Sequence, residues 1–84
     1  MTTFTREFYF FENLNILISK NVRKYRKLVG ITQEQLAIDI GISADYIRRF
    51  ETQGGREGIS LKTLYKISVV LDTPIGKFFE DTEE

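Results

Sequence analysis

Apolar residues along this chain recur every three or four positions rather than at every second one, which is the period of helices and not of strands. Leu14, Ile18, Val22, Tyr25 and Leu28 make the first such run, and Gly30 is placed to end it as a C-terminal cap. Thr32 then offers an N-cap with Gln35 three residues on, a capping-box pattern, and Leu36, Ala37 and Ile40 carry the stripe until Gly41 stops it. Ser43 is positioned to cap a third helix whose inward residues are Tyr46, Ile47 and Phe50. The stretch from Thr52 to Gly58 reads as a loop, and Ser60 as the cap of a fourth helix with Leu61, Leu64, Ile67, Ser68 and Leu71 on one face. Thr73 and Pro74 read as the N-cap and first helical residue of a short fifth helix through Phe78 and Phe79. The pattern predicts an all-α domain of five short helices over residues 14–80, preceded by an aromatic extension at 1–13 and followed by an acidic tail at 81–84.

The extension is too apolar for a solvated tail. Phe4, Phe8 and Phe11 fit a helical stripe, whereas Phe8 and Phe10 alternate as a strand does. Either surface needs covering, by its own domain or by a second chain, and the Phe78–Phe79 pair is a candidate to share that contact.

Composition narrows the chemistry. A chain of 84 residues has room for one domain and one modest core, and 42% hydrophobic content excludes wholesale disorder. Cysteine and histidine are both absent, which removes disulfides, thiolate chemistry, the usual neutral-pH proton shuttle and the commonest metal ligand. An enzyme lacks a nucleophile–base constellation here, and no cofactor, metal or small-molecule ligand is expected. No apolar run approaches the roughly 20 residues that span a bilayer, and the N-terminus is a poor signal peptide, so the expected location is cytoplasmic.

Twelve basic and twelve acidic residues cancel, but they are segregated. Between Lys20 and Lys66 stand ten basic and five acidic residues, a local charge of +5, and the two flanks together carry −5. Phosphate attraction depends on the local field, so a basic centre with acidic ends is compatible with nucleic acid; solvated helix faces are the plainer explanation of the same charges.

The stretch ITQEQLAIDIGISADYIRRFE, Ile31 to Glu51, carries the sharpest signal. Two short helices joined across Gly41 are connected too tightly to lie antiparallel and must cross steeply, the geometry of a helix-turn-helix over about 32–51. Small Ala37 lets the pair approach, Gly41 supplies the turn, and Ile42 and Ile47 anchor it. Arg26, Gly30, the run from Thr32 to Ala37, Gly41-Ile42-Ser43, Tyr46-Ile47 and Glu51, with Leu61, Leu64, Leu71 and Pro74 to Phe79 downstream, resemble the lambda-repressor-like, or Cro/C1-type, helix-turn-helix family. The resemblance covers about residues 14–79.

That resemblance implies a bacterial or phage-encoded transcriptional regulator that binds double-stranded DNA as a homodimer on a palindromic operator. It makes residues 43–51 the recognition helix, with Ser43, Ala44, Asp45, Arg48 and Arg49 toward base edges. Arg49 has the chemistry to donate two hydrogen bonds to guanine, Asp45 to accept from cytosine, and Ala44 to touch a thymine methyl. Arg48 departs from the small polar residue that relatives often carry. Asp45 also sits in a first helical turn, where a carboxylate is stabilising whatever it touches. Gln33, Tyr46, Thr52, Gln53 and Arg56 fall at or near phosphate-contacting positions; Tyr46 equally suits packing, and Thr52-Gln53 departs from the family's usual loop. Arg26 and Glu51 match a buried ion pair. A protein-interaction module that keeps the fold without DNA binding is the alternative.

Overall fold

The computed structural model describes residues 3–53, 56 and 58–81, with side chains from Leu14 onward. Four α-helices form: α1 (Thr3–Val29), α2 (Gln33–Ile40), α3 (Ala44–Thr52) and α4 (Leu61–Val70), followed by a 3₁₀ turn at Ile75–Phe79. No strand occurs among the described residues. Helices of eight to ten residues such as α2, α3 and α4 are marginal alone, so they depend on packing together. Ile18 and Val22 of α1, Leu36, Ala37 and Ile40 of α2, Ile47 and Phe50 of α3, Leu64 and Ile67 of α4, with Leu71 and Phe78, make one buried cluster.

Local chemistry sets the boundaries. Thr32, Ser43 and Ser60 each hold extended backbone and accept a hydrogen bond from the amide three residues on, the N-cap geometry their hydroxyls favour. Gly30 and Gly41 close α1 and α2 at φ of 91° and 79°, where a Cβ is costly. The capping box at Thr32 is only half made: Thr32 Oγ1 accepts from the Gln35 amide at 3.0 Å, but the Gln35 side chain donates forward to Asp39 at 2.9 Å.

Four expectations need correction. The aromatic segment does not precede the first helix; α1 is continuous from Thr3, which settles helix against strand for its backbone, while the packing of the Phe4–Phe11 side chains lies outside the described residues. Leu28 is 70% exposed because it lies about 240° round the helix from Val22, off the buried face. Leu61 is equally exposed, as the first residue of α4 at the margin of its stripe. The fifth helix is a 3₁₀ turn: Pro74 stays extended at ψ 137° outside it, and Thr73 donates its hydroxyl to Leu71 O at 2.9 Å instead of capping.

One residue that no periodicity marks fastens this turn to α1. Asn21, buried, donates both amide hydrogens, to Phe78 O at 2.8 Å and to Glu80 O at 2.9 Å. Its Oδ1 is left buried without a partner, the cost of serving two carbonyls from one side chain. Tyr25 closes the same junction, edge-on to Phe78 at 5.7 Å between ring centroids.

Candidate nucleic-acid interface

The sequence of α3 separates two faces. Ile47, Phe50 and Glu51 are buried, whereas Asp45, Arg48, Arg49 and Thr52 recur at three- and four-residue spacing on the outer side. Ser43 is exposed at the tip of that face, and Ala44 is half-buried with its methyl against the core. The expected base-reading residues are thus brought together, with Ala44 turned partly inward.

The outer face is internally compensated. The Asp45 carboxylate pairs with Arg48 through one oxygen and with Arg49 through the other. An acid one turn N-terminal to two bases suits both side-chain spacing and the helix dipole. Exposed pairs of this kind are worth only about 0.2–1 kcal/mol each, so they orient the guanidinium groups without locking them. Thr52 donates its hydroxyl back to Arg48 O, and the Gln53 amide caps α3 by bonding Arg49 O at 2.9 Å. Arg56 is exposed, its amide turning back to Gln53 O at 3.3 Å.

Behind that face lies a buried polar network. Arg26 donates from Nε to Glu51 Oε2 at 2.8 Å and from Nη2 to Oε1 at 2.9 Å, and its Nη1 reaches Ile31 O at 2.8 Å. The side chains are 9% and 1% exposed. Gln33, the first residue of α2, donates a third bond to Glu51 Oε1 at 2.9 Å. One carboxylate therefore fixes the end of α1, the start of α2 and the end of α3 in a single arrangement. The expected ion pair is present. Gln33 is a member of it, which an assignment to phosphate alone had missed.

Tyr46 takes the packing alternative. Its ring stacks on Phe50 at 6.3 Å, and its hydroxyl hydrogen goes to Gly58 O at 2.6 Å, so Tyr46 ties the loop end to α3 and has no hydroxyl hydrogen to offer a phosphate in this form. A cleft lined by Ile42, Ser43, Tyr46, Ser60 and Thr63 brings the N-termini of α3 and α4 side by side. Ser60 was read from the sequence only as the cap of the fourth helix, and Thr63 was not singled out.

No cluster of metal-ligating side chains occurs among the described residues, and no described helix is long and apolar enough to cross a membrane. The crossing of α2 and α3 about Gly41 and the buried pair beneath it are therefore the features to compare with known proteins. The helix-turn-helix family profile matches residues 22–78, most of the chain. The chain belongs to the helix-turn-helix family. It is 34% identical over 68 residues to an uncharacterised HTH-type transcriptional regulator of Sinorhizobium medicae, covering 81% of this chain and 48% of the relative. It is 39% identical over 66 residues to an uncharacterised transcriptional regulator in the ATPase CF(0) region of Rhodospirillum rubrum, covering 79% and 59%. With the control protein C.SmaI of Serratia marcescens it shares 31% identity over 67 residues, 80% of this chain and 77% of that protein. The chain spans about half the length of the first two of these helix-turn-helix relatives.

Proposed function

We propose that this helix-turn-helix protein is a sequence-specific transcriptional regulator of double-stranded DNA, binding a palindromic operator as a homodimer. Recognition helix α3 enters the major groove, with Ser43, Asp45, Arg48 and Arg49 toward base edges and Ala44 at the margin. Gln33 at the start of α2, with Thr52, Gln53 and Arg56 after α3, flanks it on the phosphates. The observation that carries this reading is the outer face of α3: Asp45, Arg48 and Arg49 gathered on one exposed side of a helix whose other side is fixed by Arg26, Glu51 and Gln33. The relatives' names as transcriptional regulators and a control protein support it.

Selection of bound sequences from a random duplex pool tests the reading. A palindromic consensus, lost in Arg49→Ala while the far-ultraviolet spectrum is unchanged, is expected. Failure to enrich any consensus at low salt would sink it. That outcome favours a protein-interaction module, for which the exposed Ile38, Tyr65 and Val69 between α2 and α4 provide the surface.

A further inference from the structure

We propose that two copies of this chain associate through the N-terminal half of α1, residues 4–15, paired as a short antiparallel coiled coil. The proposal rests on the homodimeric part of the reading above and names the surface that part leaves open.

The backbone supplies the first observation. α1 is a single helix of 27 residues, about 40 Å at 1.5 Å per residue, in a molecule measuring 45 × 24 × 21 Å. Among the described residues its contribution to the core begins at Leu14. Its backbone begins at Thr3, eleven residues and about 16 Å before Leu14, which packs against the core.

The register supplies the second. Positions 4, 8, 11, 15, 18, 22 and 25 follow one another at alternating steps of four and three, the a/d seam of a heptad repeat. They are Phe4, Phe8, Phe11, Asn15, Ile18, Val22 and Tyr25. The lower half of this seam is the buried face of the domain: Ile18 and Val22 lie in the core, and Tyr25 meets Phe78. The upper half continues the same register with three phenylalanines and one asparagine. A seam of this period is matched by another helix laid along it, and a second copy supplies that helix with the same repeat.

Sterics and charge choose the same orientation. A parallel partner would follow the seam past Ile18 and Val22, into the space that α3 and the 3₁₀ turn already occupy against α1. An antiparallel partner overlapping residues 4–15 leaves the seam at Asn15, and its own domain lies beyond Thr3. In the heptad, Glu7 is a g position and Glu12 an e position, so a parallel pair sets these two carboxylates opposite each other. The antiparallel pair with Phe4 level with the second copy's Asn15 instead sets Glu12 near Thr5 and Glu7 near Leu14. Like charges are separated.

The whole chain contains no cysteine, so introduced thiols report only on their own neighbours. Sedimentation of the full chain without DNA is expected to show a dimer, and Phe8→Glu to raise its dissociation constant at least tenfold while the chain stays folded and helical, with a melt that no longer depends on protein concentration. Mixed under mild oxidation, Phe4→Cys and Asn15→Cys chains are expected to join as a 4–15 heterodisulfide, since the two copies' position-4 residues stand about 16 Å apart in this pairing. A monomeric wild type, a Phe8→Glu chain that dimerises normally, or dominant 4–4 and 15–15 disulfides would each overturn the proposal. Operator selection is read separately. A palindrome recovered by a chain whose Phe8→Glu variant remains dimeric refutes this surface and spares the regulator; a dimer through residues 4–15 with no DNA consensus does the reverse.

Discussion

Replacing Glu51 by alanine removes the acceptor on which Arg26 and Gln33 converge. The Arg26 side chain is 9% exposed and keeps only its bond to Ile31 O, so a cation is left inside the protein without its counter-charge. Breaking a buried pair from one side costs about 3–5 kcal/mol, because the surviving charge bears its desolvation alone. That is a large share of the 5–15 kcal/mol that a typical domain has in total. With a urea slope of about 1 kcal/mol/M at this size, the unfolding midpoint of Glu51→Ala should fall by about 3–5 M, followed by far-ultraviolet circular dichroism. The double change Arg26→Met with Glu51→Leu removes both charges at similar volume, and replacements of this kind are often neutral or stabilising, so it should recover most of the loss. A single variant whose midpoint moves by less than about 0.5 M refutes the buried-charge argument. A double variant no better than the single one refutes it too, and shows that the geometry of the pair matters more than its charge balance. Operator binding by the recovered double variant then reports whether the pair acts purely as scaffold.

Other positions give smaller, separable effects. Gly41→Ala meets no atom within 4 Å but must hold φ of 79°, and should lower stability by about 1 kcal/mol, or a melting temperature by about 4–8 °C in calorimetry. Tyr46→Phe keeps the stack on Phe50 and loses the bond to Gly58 O; a loss of about 0.5–1.5 kcal/mol in denaturant, with faster amide exchange in the Thr52–Gly58 loop, is expected, and an unchanged loop would show the tether to be idle. Asp45→Asn removes the counterion of Arg48 and Arg49: binding to random-sequence duplex should tighten and its log–log salt dependence steepen by up to about 0.9, while selectivity for the operator falls.

What was legible in the sequence was what adjacent residues decide. Thr32, Gly41 and Ser43 each satisfy a backbone group within three residues or a local φ, so the α2–α3 turn could be read without tertiary information. The core stripes were legible where the period held near the middle of a helix, as at Val22, Leu36 and Ile67, and failed at its ends, as at Leu28 and Leu61, where rotation carries the residue off the face. Pairings between distant positions were not legible from pattern. Asn21 meets a carbonyl 57 residues away, Gln33 meets Glu51 across 18 residues, and Tyr46 meets Gly58 across a loop whose middle glycines lie outside the described residues. Each is a single polar side chain meeting a distant acceptor, which leaves no periodic trace. The Arg26–Glu51 pair is of the same kind, and it was anticipated only because the surrounding residues resemble a family in which such a pair recurs.

The two carboxylates of α3 do opposite work with the same chemistry, and burial decides which. Glu51 is enclosed, so its three hydrogen bonds are expensive to break and hold three helices in one arrangement. Asp45 is half-exposed, so its two ion pairs are cheap to exchange for other partners. A recognition helix needs both properties: a fixed backbone, so that side chains arrive in register, and loosely held guanidinium groups that can leave their counterion for a base or phosphate. Six residues separate the two acids along α3, about 240° of rotation, which is what places one on the inner and the other on the outer side. Exchanging their environments would give a helix that is rigid at its outer face and mobile at its root, so the position of each acid, more than the total charge, is what the proposed contact with DNA relies on.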